Sequence, residues 1–353
     1  MKFWNVYLGF GLLSYGVFAQ NLQPNTQYHL AVLGFWNVEN LYDTLNDQWK
    51  NDEEFTPEGS NAWTGNRYRT KLEHLAQVIS QIGTELTPDG LSVLGLCEIE
   101  NKWVVADLLK QPALKSRKYQ LVHIEGPDFR GVDPSFIYNP NYFKVKQAHA
   151  FPVRLVTDSA HRTRDILMVK GLFLNEPTVF FINHWPSRRG GEMASRPNRN
   201  GAARLLKRIC DSLEQSEPQL KIVIMGDFND DPVNESIKNV LKTSQDYNEA
   251  MGSPGFFYNP MERMYQQGIG SLAYQDSWNL FDQIIVNKPL LNPDFKEWGL
   301  YQARVFNKAF LKSDFGNFKG YPFRTYSGGS YTAGYSDHFP VYAIWAKRIN
   351  SSK

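Results

Sequence analysis

Apolar residues in this chain come in short runs, and most of the runs end in acids, amides or a histidine. Leu30 to Trp36 leads into Asn37-Val38-Glu39-Asn40, and Leu91 to Cys97 leads into Glu98-Ile99-Glu100-Asn101. Val179 to Ile182 ends in Asn183-His184-Trp185, and Leu220 to Ile224 runs on into Met225-Gly226-Asp227-Phe228-Asn229. Short apolar, β-branched runs bounded by turn formers predict buried strands. Tyr119–Ile124, Phe136–Tyr138, Ile166–Leu174, Trp278–Val286 and Val341–Trp345 read the same way. Between them the period changes. Leu72, Leu75, Ile79 and Ile82 recur at helical spacing and predict a helix over Arg67–Ile82, with others over Trp103–Lys110 and Ala202–Leu213. Residues 46–66, 243–275 and 291–334 show no period and are read as irregular. Strands and helices alternate without a repeat or a Pro/Ser-rich linker, which predicts one α/β domain from about residue 28 to 347.

Composition narrows this picture little. The 353 residues are 42% apolar, enough for a large core, and the formal net charge of +2 argues neither for nor against a polyanionic partner. The N-terminus is more informative. Lys2, an apolar stretch from Trp4 to Phe18 and a small residue at Ala19 predict a secretory signal over residues 1–19. No other run is apolar enough to span a bilayer, so a secreted or periplasmic protein without stable membrane insertion is expected. Cys97 falls in an apolar strand and Cys210 in a helical pattern, which favours two buried free thiols over a disulfide.

Each polar strand end has a bland explanation, because Asn and Asp make turns for local reasons. Six together are harder to dismiss: Asn37 and Glu39; Glu98; Asn183 and His184; Asp227 and Asn229; Asp282; Asp337 and His338. Strand ends of α/β proteins are where ligand-handling groups collect, and clustered carboxylates call for a cation or donors among them. Alternation places Asn37 and Glu39 on one face. Asp230 and Asp231 lie beyond the pattern and read as turn residues. Arg188, Arg189, Arg196 and Arg199 form a basic loop that either touches phosphates or is simply solvated.

Six motifs stand in order along the chain: Asn-Val-Glu-Asn-Leu-Tyr-Asp (37–43), Gly-Leu-Cys-Glu (95–98), Asn-His-Trp (183–185), Gly-Asp-Phe-Asn (226–229), Phe-Asp-Gln-Ile (281–284) and Ser-Asp-His-Phe-Pro (336–340). In this the sequence resembles the endonuclease/exonuclease/phosphatase superfamily, which includes pancreatic-type deoxyribonucleases, abasic-site endonucleases, inositol-polyphosphate phosphatases and bacterial sphingomyelinases. Its 37–43 and 183–188 variants look like those of secreted bacterial members described as nucleases. The resemblance implies a four-layered α/β/β/α sandwich of two packed mixed sheets, with the site at one edge. It implies Glu98 as main ligand of a Mg²⁺ ion (Mn²⁺ or Ca²⁺ being alternatives), with Glu39 and Asp337 contributing. His338 becomes the general base or the phosphate contact, oriented by Asp282. Asp227 positions the attacking water, and Asn229 and Asn37 donate to phosphate oxygens. His184 resembles a second histidine of the deoxyribonuclease and sphingomyelinase branches, with Glu125 or Asp128 as its acidic partner. Arg164, Asn183 and Arg188 are assigned to the substrate.

The leading expectation is therefore a secreted metal-dependent nuclease with nucleic acid as substrate and no protein partner implied. A phosphomonoesterase or a phospholipid phosphodiesterase remains open, since loops set the substrate on such a fold. The Gly-Phe-Phe-Tyr stretch at 255–258 reads as core rather than as a membrane-docking hairpin. A non-catalytic phosphate-binding protein is the third reading.

Overall fold

The computed structural model describes residues 17–18, 22–23, 26–158 and 161–349. The expected signal segment falls outside them except for Val17–Phe18, a two-residue strand. The first sheet contains β1 (Tyr28–Leu41), β2 (Leu91–Ile99), β3 (Gln120–His123) and β4 (Asp133–Tyr138). The second contains β5 (Phe143–Phe151), β6 (Ile166–Phe173), β7 (Glu176–His184), β8 (Lys221–Asp227) and β9 (Asp282–Val286). The chain then returns to the first sheet with β10 (Gly299–Val305) and β11 (Val341–Arg348). The orders are Val17–Phe18, β10, β11, β1, β2, β4, β3 and Thr243–Ser244, Phe257–Tyr258, β9, β8, β7, β6, β5. Both sheets are mixed: β1 runs parallel to β2 and β7 parallel to β8, with antiparallel strands around each pair.

Period-2 alternation assigns each strand's side chains to two layers. In β1, Leu33 and Phe35 face the second sheet, where they meet Phe180, Ile182, Val223, Met225 and Ile284. Val32 and Trp36 face outward onto Leu72, Leu75 and Ile79 of α1 (Gly65–Ile79) and onto α2 (Lys102–Leu109). On the other side, Phe181, Ile222 and Ile224 pack against Ala202, Leu206 and Cys210 of α3 (Glu192–Ser216). The result is the expected four-layered sandwich. A side-chain carbon at Gly95 would stand 2.8 Å from the Met225 sulfur, so glycine lets the sheets close there. Both cysteines are buried free thiols, and Phe257 and Tyr258 are core.

Three expectations need correction. α3 begins ten residues before Ala202, so most of the supposed basic loop is helix; Arg199, fully buried, is fixed 2.7 Å from Asp230. Trp278–Val286 is not one strand: Ser277–Asn279 turns back on Leu272–Tyr274, and β9 starts only at Asp282. The stretches read as irregular hide β10, and β5 was not foreseen because Lys144, Lys146, Gln147 and His149 make it a solvated edge strand. No helix of the described residues is long and apolar enough to cross a membrane.

Candidate active site

Register builds the centre of the site. Asp227, at the end of β8, lies opposite His184 of β7 on one side and opposite Asp282 of β9 on the other. Neighbours at one register share a face, so three ionisable groups converge on the inner side of the second sheet. The first sheet meets them at the same edge. There Asn37 Nδ2 donates to Asp227 Oδ2 at 3.0 Å, across the two sheets. His338 arrives from the segment before β11 and is locked to the end of β1. Trp36 Nε1 donates to the His338 carbonyl (2.9 Å), Ser336 Oγ donates to the Asn37 carbonyl (2.7 Å), and the His338 N–H donates to Ser336 Oγ (3.1 Å).

The two histidines sit in opposite electrostatic surroundings. His338 Nδ1 is 2.6 Å from Asp282 Oδ2, which also accepts from Ser271 Oγ at 2.5 Å. Burial alone would lower the imidazole's pKa. The charge and hydrogen bond of Asp282, helped by Asp337 and Asp227, override it and hold His338 well above the ordinary value. His184 is pushed well below it, first by burial and then by Arg164, Arg130 and His338. Asp227 stands between the two, its Oδ2 3.8 Å from His184 Nε2 and 4.0 Å from His338 Nε2. Burial raises the Asp227 carboxyl to about 6, with Asp282 adding to the rise and His338 opposing it. At neutral pH the site thus offers an imidazolium, a carboxylate and a neutral imidazole in a row. Titratable neighbours whose pKa values are pushed apart in this way are the usual substrate of acid–base division of labour.

The expected metal ligands ring this centre, each facing a cation of the protein. Glu98 lies 3.7 Å from Arg130 and 3.8 Å from His184; Glu39 lies 3.9 Å from Lys71; Asp337 lies 2.9 Å from Arg324. Glu98 (φ 63°) and Glu39 (φ 53°) adopt left-handed backbone, costly for a side chain of this kind and common where a site dictates geometry. A register shift between Asn37 and Leu41 accompanies it and breaks the expected alternation. Asn37 therefore reaches inward to Asp227, while Glu39 accepts from Thr325 N at 2.6 Å and approaches Lys71 of α1. Burial, reinforced by Asp337, lifts the Glu39 carboxyl to about 7 against the pull of Lys71. A buried acid held that high beside a second acid fits a divalent cation, which would relieve the repulsion. The tightest metal-capable groups among the described residues at this edge are, however, Asp227–Asp282–His338 and Cys97–His184–Asp227.

The remaining expected residues divide. Asn229, at φ 50°, donates its backbone N–H to Asp227 Oδ1 (2.9 Å) and its side-chain amide to the Trp185 carbonyl (3.0 Å). It shapes the strand end. Arg164 donates to the same carbonyl (2.9 Å) and lies 3.5 Å from Asp128, beside the site. Asn183 is fully buried and occupied, donating to the Phe181 and Met225 carbonyls and accepting from Trp185. Arg188 is tied to Asp230, Asp231, Asn234 and the Asn229 carbonyl, over the Phe281 ring. Asp230 and Asp231 are thus more than turn residues. Both are buried, and Asp231 also accepts from Leu280 N, fastening the turn to the start of β9. Neither Glu125 nor Asp128 comes within 4 Å of His184: Glu125 pairs with His123 and Asp128 with Arg164 and Arg130. Sequence reading missed Arg130, Lys71, Ser271 and Arg324. Only Arg130, beside Asp128 in a charged loop, carried any local signal.

The sequence model of the endonuclease/exonuclease/phosphatase family matches residues 32–347. Among solved structures the chain is similar to an endonuclease/exonuclease/phosphatase family protein from Bacteroides thetaiotaomicron, with TM-score 0.53 and 14% identity over 92% of this chain and 97% of that one. It is similar to D. rerio TDP2 complexed with single strand DNA product (TM-score 0.52, 16% identity, 90% and 98% covered). It is also similar to a mannosyl-6-phosphatase from Bacteroides thetaiotaomicron (TM-score 0.51, 14% identity, 91% and 100% covered). At such identities these likenesses establish the fold. No curated protein matches the sequence.

Proposed function

This chain belongs to the endonuclease/exonuclease/phosphatase family of phosphoester hydrolases, and we propose that it is an exported, Mg²⁺-dependent phosphodiesterase acting on nucleic acid. The observation that carries the chemistry is the row His338–Asp227–His184, with Asp282 behind it. Asp227 is placed to orient a water for attack on phosphorus. The His338 imidazolium, held charged by Asp282, is placed to stabilise the phosphorane oxygens or protonate the leaving oxygen. His184, kept neutral, offers one ring N–H donor and one acceptor nitrogen to the phosphate or water without adding charge. Asn37, fixed on Asp227, holds that carboxylate in position. Glu98, Glu39 and Asp337 would hold the Mg²⁺. A cation there supplies charge neutralisation on the phosphate and a more acidic bound water.

Support for a polymeric, ring-bearing substrate comes from the segment Lys308–Arg324. Phe315 and Phe318 are exposed, and with Tyr274, Tyr321, Phe323 and Arg324 they line a cavity of about 840 Å³ that reaches Asp337. Lys312, Lys319 and Arg324 are interleaved with these rings. Aromatic faces alternating with cations are what a single strand's bases and phosphates require. Lys2 and the apolar stretch from Trp4 to Phe18 support export.

The test is to incubate the mature protein with duplex DNA, single-stranded DNA, RNA, sphingomyelin vesicles and sugar phosphates, each with Mg²⁺ and with EDTA. Mg²⁺-dependent cleavage of a nucleic acid is expected. Release of phosphate or phosphocholine from the other substrates, with nucleic acids intact, would overturn the substrate assignment.

A further inference from the structure

Outside the central cluster, three side chains converge at the outer end of the first sheet. His123 closes β3, Asp133 opens β4, and Glu125 stands two residues beyond the histidine. One ligand atom from each lies within 4.8 Å of the others. The His123 side chain and Asp133 are each about 1% exposed, and Glu125 covers them from the solvent side.

An ordinary His–Glu ion pair accounts for only part of this. His123 Nε2 is 3.3 Å from Glu125 Oε1, yet Asp133 Oδ1 is buried with no hydrogen-bond partner. A single Nε2–H cannot satisfy two carboxylates. The nearby cation, Lys50, is directed elsewhere, donating to the carbonyls of Gly126 and Asp128. Asp133's other oxygen accepts from Gly126 N at 2.8 Å, which aims Oδ1 at the cluster. His123 Nδ1 lies 2.6 Å from Ser135 Oγ, and an Nδ1–H donated there leaves Nε2 as a lone pair pointing at the two acids. A ligating imidazole whose far nitrogen is held by a second residue is the common arrangement at transition-metal sites.

We propose that His123, Glu125 and Asp133 form a second metal site, separate from the catalytic one, that takes a transition-series divalent cation such as Zn²⁺. One imidazole and two carboxylates suit that class, while an imidazole ligand disfavours Mg²⁺ and Ca²⁺. The site has a structural consequence. His123 and Asp133 bracket the loop 124–132, which carries Asp128 beside Arg164 and Arg130 beside Glu98. A cation joining the two ends of this loop fixes the arginine that faces the catalytic glutamate.

The site is tested in protein carrying Glu39→Gln, Glu98→Gln and Asp227→Asn, which removes acids of the central cluster and the residue shared by its two tightest metal-capable groups, by titrating Zn²⁺ alone and counting bound ions. One bound Zn²⁺ is expected. Adding His123→Ala is expected to abolish it, and Glu125→Ala, at an exposed position that does not threaten folding, to weaken it at least tenfold. Ser135→Ala is expected to weaken it by about ten- to a hundredfold, as loss of an outer-shell partner does. No bound Zn²⁺ in the parent variant, or affinity unchanged by both His123→Ala and Glu125→Ala, would overturn the proposal.

Discussion

The two edges of the sandwich are made by the same strands and differ in almost everything else. At one edge lie the C-terminal ends of β1, β2, β7 and β8 with the segments entering β4, β6, β9 and β11. All eleven large hydrophobic side chains that the described residues expose belong to segments at this edge: Leu45, Trp49, Trp103, Phe129, Val156, Met193, Val233, Tyr274, Trp278, Phe315 and Phe318. The opposite edge, formed by connections such as 80–90, 139–142, 174–175 and 287–298, contributes none of them. Positive φ occurs at both edges, at Phe295 of the 287–298 connection for example, but at the site edge it falls on polar strand ends. Glu39, Asn40, Glu98 and Asn229 take positive φ at the site edge, where no reversal of the chain requires it. At the other edge Leu174 and Asn175 do so because they are the two central residues of a hairpin turn. Folding alone gives no reason for this asymmetry. Exposed rings and strained acids kept together at one edge indicate a surface built to hold a ligand.

The largest effects are expected at the chemical centre of the site edge. His338→Ala should lower hydrolysis by about a thousandfold; because it also strips the buried Asp282 carboxylate of its partner, the thermal midpoint should fall as well, and the assay is run well below it. A variant that keeps full activity would detach the chemistry from this edge. Asp282→Asn should cost about a hundredfold. It keeps the side-chain shape but removes the charge that offsets burial, so the His338 pKa, followed by NMR titration of the ring, should fall from its raised position. An unmoved His338 titration would show that Asp282 does not set its charge.

The rim is tested next. Replacing Phe315 and Phe318 together by alanine should raise KM for a single-stranded oligonucleotide about tenfold or more, as expected for lost base stacking. Hydrolysis of a small aryl phosphodiester should be unchanged, which separates the rim from the chemistry. The smallest effect concerns strain between charges. Glu39's carboxyl is raised to about 7 in the folded protein, so its neutral form is the stabilising one and that stability is lost as pH rises through 7. In metal-free protein, Glu39→Gln should therefore become relatively more stable between pH 5 and pH 8, by about 2 kcal/mol. Added Mg²⁺ should reverse the advantage. Denaturant melts at the two pH values measure both effects.

The parts of this contrast that sequence makes legible are those set by local period. Leu33 and Phe35 against Val32 and Trp36 announce a strand buried on both faces, and Leu72, Leu75 and Ile79 announce the helix covering it. The strand-end polar residues were equally visible, because each closes an apolar run. Residues whose roles depend on distant partners were not. Nothing near Ser271 shows that it will donate to Asp282, or that Lys71 of α1 will lie against Glu39. Arg188 and Asn183 looked like substrate ligands from their positions beside His184, yet folding turns both onto protein groups. The alternation rule misplaced Glu39 because a register shift intervenes, and Asp230 looked idle because its partner Arg199 sits in a helix hidden by glycines and a proline.

The acids at this edge are proposed to serve metal-dependent cleavage of phosphodiesters. The most direct measurement compares initial rates on a single-stranded oligonucleotide for the parent protein and for Glu98→Gln across a Mg²⁺ titration, with EDTA as the zero point. Cleavage by the parent is expected to rise with Mg²⁺ and vanish in EDTA, with the folded variant slower by at least about a hundredfold. Equal rates for the two proteins, or cleavage that persists in EDTA, would contradict it.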